Sequence, residues 1–181
     1  MTEYTARGAT VSSDGYYRYL LWREWRLYPD EPVDYTPKTC LFVMLNPSTA
    51  DGKADDPTIR RCVGFAKSFG CERLEVVNLF AYRATKPQDL FARAALGIDI
   101  AGWENQKYVE DAAFDADIII CAWGAHGAFI GQDETMCGWL ECAGKTLYAI
   151  GLTKGGRPKH PLYLPKEASL IPWRKRREKA K

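Results

Sequence analysis

The chain has 181 residues, of which 46% are hydrophobic and 13% aromatic. This composition excludes an intrinsically disordered protein and fits one globular domain with a sizeable core. A formal net charge of only +2 excludes a strongly basic coat for nucleic acid. Because the last eight residues contain six cations, we predict one domain over residues 1–173 and a basic tail over 174–181. The tail is either simply solvated or in contact with phosphate.

The cysteines and histidines give no metal or redox signature. None of the six cysteines forms a Cys-x-x-Cys pair, and the chain has only two histidines, His126 and His160. This pattern disfavours a zinc site and is typical of reduced thiols that pack as small hydrophobic side chains. No signal peptide or membrane-length apolar run is present in the sequence. We therefore expect a cytoplasmic protein with no metal, no cofactor and no membrane partner, and we favour a monomer.

The first predicted element is a β-hairpin. Asp14-Gly15 lies between the β-forming segments 9–12 and 16–22, and Asp-Gly in that position is a strong hairpin signal. An irregular connection is then predicted from three prolines, Pro29, Pro32 and Pro37.

Beyond the connection, apolar strands alternate with helices. The apolar run 41–45 predicts a strand covered on both faces. Asp56-Pro57-Thr58 predicts the start of a helix that reaches about Phe69 and stops at Gly70. The later predicted elements are a strand at 74–77, a helical region at 98–114, a strand at 118–123, a helix at 136–142 and a strand at 146–150. This order predicts an α/β domain of three layers, αβα, with a short, mostly parallel central sheet that the hairpin precedes.

Three polar residues follow strands of this predicted sheet. Asn46 comes directly after the first strand, Asn78 ends the second, and His160 lies in a basic loop after the last. Ligands of α/β proteins bind beyond the carboxyl ends of the strands, so we expect the three side chains to meet in one cleft. Two amides that can read the edge of a heterocycle, together with an imidazole, indicate chemistry on a base or a sugar. Because an unpaired buried amide is costly, Asn78 is either capped locally or faces a ligand.

Neighbouring residues extend this candidate site. The candidates for substrate contact are Ser48, Asn78, Phe80, Tyr82, Arg83, Trp123 and Gly124. The candidates for phosphate contact are Arg60, Arg61, Lys154, Arg157 and Lys159. Each has a structural alternative: a turn bonded to its own backbone, an aromatic that closes the core, a solvated helix face or a mobile loop. His126 is interpreted as a surface histidine.

A cluster of aspartates leaves a metal site open as an alternative. Asp51, Asp55 and Asp56 lie close together, but their spacing is not that of a calcium loop. Asp56 is better explained as a helix cap. A metal-dependent hydrolase using the three carboxylates is therefore a third functional hypothesis.

The segments 44–51, 56–62 and 77–85 together closely resemble one bacterial and phage family. They read Met-Leu-Asn-Pro-Ser-Thr-Ala-Asp, Asp-Pro-Thr-Ile-Arg-Arg-Cys and Val-Asn-Leu-Phe-Ala-Tyr-Arg-Ala-Thr. The family is domain of unknown function 1643, and the match extends from about Gly8 to Pro165. Its label carries no activity.

The order of motifs also resembles the uracil-DNA glycosylase superfamily, whose fold is a short parallel sheet between helices. The matching segments are Leu45-Asn46-Pro47-Ser48, the strand that ends at Asn78, Ala122-Trp123-Gly124 and His160-Pro161-Leu162. The resemblance implies that Asn46 positions the attacking water, that Asn78 reads the base edge, and that His160 stabilises the departing base. Phe65, Phe80 or Tyr82 would stack on the base.

Two departures from the superfamily bear on the substrate. Ser48 stands where the uracil-specific branch has a Tyr that excludes 5-substituted pyrimidines. The resemblance therefore implies a pocket that admits bulkier, modified bases. Leu162 replaces a Ser of the histidine loop, which weakens the inferred hold on DNA phosphate. The leading hypothesis is an N-glycosidic-bond hydrolase acting on a base in DNA or in a nucleotide. Its rival is a non-catalytic nucleic-acid or nucleotide binding module, because no carboxylate takes the water-activating position.

Overall fold

The computed structural model describes residues 3–26 and 35–174. The prolines at 29 and 32 and the basic tail beyond Arg174 lie outside this range. The described part of the chain contains seven strands: β1 Ala6–Val11, β2 Arg18–Glu24, β3 Thr39–Met44, β4 Arg73–Asn78, β5 Ile118–Cys121, β6 Leu147–Ala149 and β7 Ile171–Arg174. The four α-helices of the described residues are α1 Pro57–Ser68, α2 Pro87–Ala95, α3 Asn105–Asp115 and α4 Gln132–Glu141. Short 3₁₀ helices occupy residues 125–131 and 161–163.

The strands form a single mixed sheet in the order β1-β2-β4-β3-β5-β6-β7. The four central strands, β4, β3, β5 and β6, are parallel, while β1, β2 and β7 pair antiparallel with their neighbours. The prediction of a mostly parallel sheet is therefore wrong. A parallel pair needs a crossover connection, usually a helix, and the helices lie between β3 and β6. The chain reaches the outer strands through a hairpin at one edge and a segment without an α-helix at the other.

The sheet has an apolar cluster on each face. Along β3, Cys40, Phe42 and Met44 belong to the cluster beneath α1. Leu41 and Val43 belong to the cluster that includes residues of α3 and α4. This alternation follows from the two-residue period of a strand, and it explains why the whole strand is apolar. Helices thus cover both faces, and the carboxyl ends of the central strands lie at one edge of the sheet.

Helix α1 begins and ends as the sequence predicts. The carboxylate of Asp56 accepts a hydrogen bond from the Ile59 amide at 2.8 Å, and Pro57 occupies the first turn. Gly70 follows with φ of 71°, the left-handed conformation that glycine adopts at little cost. The N-terminal cap by Asp56 fixes the first turn of α1 beside the ends of β3 and β4.

Two elements differ from the predicted pattern. The predicted helical region at 98–114 contains α3 only from Asn105, and α2 lies earlier, at 87–95. Strand β7 was not predicted, because Pro172 and a half-exposed surface give it no strand-like apolar run.

The six cysteines are free thiols, and only Cys142 is exposed. Within the described residues, no helix combines the length and hydrophobicity needed to cross a bilayer.

Candidate functional site

A cavity of about 530 Å³ lies at the carboxyl ends of the central strands. Asn46, Asn78 and His160 all line it, although they are separated by 32 and 82 residues in sequence. Ser48, Trp123, Gly124 and Lys159 line it as well. A volume of this size fits a small organic ligand. The predicted convergence of the two amides and the imidazole on one cleft is therefore observed.

Asn78 is the most unusual side chain of the cavity. It ends β4 opposite Met44 of β3 and is only 1% exposed. Neither its Oδ1 nor its Nδ2 has a hydrogen-bond partner within the described residues. Native proteins seldom leave a buried amide unpaired, since this costs about 1–3 kcal/mol. Asn78 is thus not capped locally, and its unpaired amide belongs to the lining of the cavity.

The orientation of Asn46 is fixed by its amide nitrogen. Nδ2 donates to the carbonyl oxygen of Ala84 at 2.6 Å and to that of Pro47 at 3.0 Å. A flipped amide would place Oδ1 against two carbonyl oxygens, so this assignment follows from the hydrogen bonds. The remaining Oδ1 can accept a hydrogen bond from a water or from a substrate.

His160 has a defined tautomer. Its Nδ1 accepts a hydrogen bond from the Leu162 amide at 3.3 Å, which leaves the proton of the neutral ring on Nε2. Burial lowers the pKa of His160 below its ordinary 6.5, and the Asp56 carboxylate only partly opposes this. His160 is therefore a neutral donor at pH 7.

The lowered pKa of His160 predicts a pH-dependent stability. Because the unfolded chain takes up the proton more readily than the folded protein, wild-type stability should fall as the pH drops below 6.5 towards the folded pKa. A His160→Gln variant lacks this linkage, so it should be less sensitive over the same interval. Urea unfolding of both proteins above and below pH 6.5 measures the difference. If the free energies of unfolding of the two proteins change with pH in the same way, the lowered pKa of His160 is contradicted.

Trp123 packs tightly over the loop that follows β5. The ring is 2% exposed and lies edge-on to Trp173, with ring centroids 5.3 Å apart. A Cβ added at Gly127 would lie 2.1 Å from Trp123 Cδ1, so only glycine fits beneath the ring. The indole Nε1 has no partner within the described residues, so Trp123, like Asn78, is a cavity-lining residue with an unpaired polar atom.

A Gly127→Ala substitution should test this packing. It should lower the free energy of unfolding by about 1–3 kcal/mol, because the new methyl group must displace the Trp123 ring. Gly138 of α4 is the control, since a Cβ there meets nothing within 4 Å. Gly138→Ala should stabilise the protein by roughly 0.5–1 kcal/mol. Urea denaturation measures both changes, and an undisturbed Gly127→Ala protein would contradict the packing.

Several predicted substrate contacts do not lie in the cavity. Phe80 is fully buried in the core, where its ring contacts Phe129 at 6.1 Å between centroids. Tyr82 is buried against the tyrosines of the hairpin. Arg83 donates to the Gly15 carbonyl at 3.1 Å. Phe80 and Tyr82 therefore close the core, which is the structural alternative to substrate contact. Phe65, the third proposed stacking residue, is also a core residue.

Of the five predicted phosphate contacts, only Lys159 lines the cavity. Arg60 donates to the Asp55 carbonyl at 2.6 Å, and Arg61 donates to the Leu164 carbonyl. Arg157 lies 3.6 Å from the Asp133 carboxylate, and Lys154 is exposed on the loop. These side chains are spread over the surface and do not form one phosphate site with the cavity.

The three aspartates have separate structural roles. Asp51 accepts from the amides of the loop that it begins, and Asp56 caps α1. Asp55 pairs with Arg23 at 2.7 Å and accepts from the Tyr4 hydroxyl. Within residues 3–26 and 35–174, no group of three or more His, Cys, Asp or Glu side chains is placed to hold a metal ion.

Sequence reasoning missed much of the cavity lining, including the side chains of Arg18, Thr58, Thr85, His126, Thr153 and Tyr163. Arg18 could have been recognised as a candidate site residue from the sequence, because it is the one charged residue in the aromatic and apolar run 16–22. Tyr163 is 83% exposed and lies 5.9 Å from the His160 ring between centroids. It replaces the core aromatics as the candidate for stacking on a ligand.

A family model described as "Protein of unknown function (DUF1643)" matches residues 18–162. The match covers most of the chain, so the protein belongs to this family. No curated protein and no solved structure matches the chain. The resemblance to the uracil-DNA glycosylases therefore stays a prediction, and the function has to be inferred from the site.

Proposed function

We propose that the protein is a nucleobase-recognising hydrolase of N-glycosidic bonds. The observation that carries the proposal is the unpaired, buried amide of Asn78 inside a cavity of ligand size. A carboxamide offers one donor and one acceptor side by side, and a nucleobase edge offers the complementary pair. A ligand that lacks such an edge would leave Asn78 unsatisfied.

The neighbouring polar groups suit the cleavage step of this reaction. Breaking an N-glycosidic bond develops positive charge on the sugar and negative charge on the base. Oδ1 of Asn46 is free to orient a water, and Nε2–H of His160 can donate to the departing anionic base. A neutral imidazole serves here as a positioned hydrogen-bond donor, which requires no change of its protonation state.

We further propose that the central strands correspond to the core of a uracil-DNA glycosylase-like fold. Support comes from the order of the four motifs and from four adjacent parallel strands with helices on both faces. The antiparallel outer strands would then be additions to that core. Since a fold does not fix an activity, this relation strengthens the proposal less than Asn78 does.

The decisive experiment is a mass-spectrometric screen for released base. The substrates are DNA containing normal or 5-modified bases and the free nucleotides. We expect release from at least one substrate, and Asn78→Ala should weaken the preference among bases. Gln106→Ala is the amide control, because Gln106 lies on the exposed face of α3. Wild-type protein that releases no base from any substrate would overturn the proposal.

One observation favours a second candidate, a non-catalytic nucleotide-binding module. Among the described residues, Asp56 is the only carboxylate that lines the cavity, and it accepts a hydrogen bond from the Ile59 amide as the cap of α1. No other described carboxylate is in place to activate a water. Base binding that depends on Asn78 without any release would identify this function.

A further inference from the structure

The cavity contains a buried cation without an anionic partner. Arg18, the first residue of β2, lines the cavity and is 3% exposed. Its Nη1 donates to the Ala50 carbonyl at 2.7 Å, and its Nε has no partner. Among the described residues, Arg18 forms no ion pair with a carboxylate. Such an arrangement is costly, because a buried charge is normally paired.

The surroundings of Arg18 leave room for an anion. Burial lowers its pKa to about 10, and the nearby Asp56 opposes this shift, so the guanidinium stays charged at pH 7. The described residues that line the cavity include two cations, Arg18 and Lys159, and one carboxylate, Asp56, so these three groups contribute a net charge of +1. Asp56 is already engaged as the helix cap.

The first turn of α1 adds a second favourable element. Thr58 and Ile59 of this turn line the same cavity as Arg18. The N-terminus of a helix carries partial positive charge that favours an anion. Because Pro57 has no N–H and the Ile59 amide donates to Asp56, the amide of this turn that is left for an anion is that of Thr58. A fork of guanidinium donors combined with a helix N-terminus is well suited to the oxygens of a phosphate group.

We propose that Arg18 binds a phosphate group carried by the same ligand whose base meets Asn78, so that the substrate class is a free mononucleotide. This inference rests on the proposed function and narrows it. A cavity of about 530 Å³ exceeds the space that a base alone needs. Arg18 is an interior residue of the cavity, whereas the phosphates that flank a flipped base in DNA lie on the outside of the protein.

The test compares ligands that differ by one phosphate. Isothermal titration calorimetry measures the binding of the four 2′-deoxynucleosides, their 5′-monophosphates and inorganic phosphate to the wild-type protein. For at least one base, the monophosphate should bind about tenfold tighter or more, as expected for a hydrogen-bonded charge pair. Equal affinities for nucleoside and monophosphate, or no binding of either, would overturn the inference.

Substitutions of Arg18 assign the effect to this residue. Arg18→Met keeps the length of the side chain and removes its charge, so the advantage of the monophosphate should disappear while nucleoside affinity remains. The ligand-free Tm should be unchanged or higher, because an unpaired buried charge is removed. Arg18→Lys provides a second variant, which should retain part of the advantage. Arg93→Met, on the exposed face of α2, is the matched control and should bind like the wild type.

A short oligonucleotide separates the two sources of phosphate. A thymidine trinucleotide without terminal phosphates contains only diesters. Arg18-dependent binding of this probe, without binding of any monophosphate, would show that the anion is a DNA phosphate and would overturn the mononucleotide proposal. A monophosphate advantage that depends on Arg18, in a protein that releases no base, would retain this inference and reject only the hydrolysis.

Discussion

Arg23→Met is expected to lower the free energy of unfolding by about 3–5 kcal/mol, as removal of one partner from a buried ion pair generally does. Arg23 is fully buried, and its Nε donates to Asp55 at 2.7 Å. Its other nitrogens donate to the carbonyls of Asp51 at 2.6 Å, Trp22 at 2.7 Å and Gly8 at 3.3 Å. Arg23 therefore joins the hairpin to the loop 51–55, which precedes α1. Urea denaturation followed by circular dichroism measures the loss.

The control for Arg23 is Arg7, an exposed arginine of the neighbouring strand β1. Arg7→Met should change the free energy of unfolding by no more than about 0.5 kcal/mol, as is usual for surface positions. If the two substitutions destabilise the protein equally, the loop 51–55 is not held by Arg23. That result would also remove the structural explanation for Asp55 and reopen a metal-binding role for the carboxylates.

His160→Ala and Asn46→Ala are each expected to lower the rate of base release by roughly a hundredfold or more, the effect of losing one positioned donor or orienting group. Both residues lie on turns beyond the strand ends and outside the core clusters, so the fold should persist. The measurement is the single-turnover rate of base release on the best substrate of the screen.

An exposed residue outside the cavity provides the control for this prediction. Gln106 lies on the exposed face of α3, where its Nε2 donates to the Glu110 carboxylate at 2.8 Å. Gln106→Ala should release base at nearly the wild-type rate. Wild-type turnover by His160→Ala and Asn46→Ala would contradict the assigned roles, and an equal loss in Gln106→Ala would show that the effect is not specific to the cavity.

The placement of the site could be predicted because it depends on local signals. Apolar runs located the central strands, and the Asp56 cap located the start of α1. Since parallel strands end at one edge of a sheet, the residues that follow these runs had to lie near one another. Asn46, Asn78 and His160 line one cavity for this reason.

The remaining features depend on long-range contacts that no local pattern encodes. Phe80 and Tyr82 follow Asn78 in sequence, yet the chain turns into the core after β4 and buries both rings. Arg18 reaches the cavity only because β2 pairs with β4, although the paired residues, from Leu21↔Val76 to Glu24↔Arg73, are 49 to 55 positions apart in sequence. The antiparallel outer strands depend on the same distant pairing, and an exposed strand such as β7 has too few apolar residues to be recognised.

The most direct test of the central claim is an NMR titration that follows the side-chain amide of Asn78. Its resonances are assigned by comparison with Asn78→Ala, and the ligands are nucleosides and nucleotides of each base. We predict that a binding ligand shifts the Asn78 amide protons downfield. The Gln132 amide, which already donates to the Leu79 carbonyl at 3.0 Å, should move much less. A ligand that binds while the Asn78 amide stays unchanged, or a complete absence of shifts with every base, would contradict base recognition at this site.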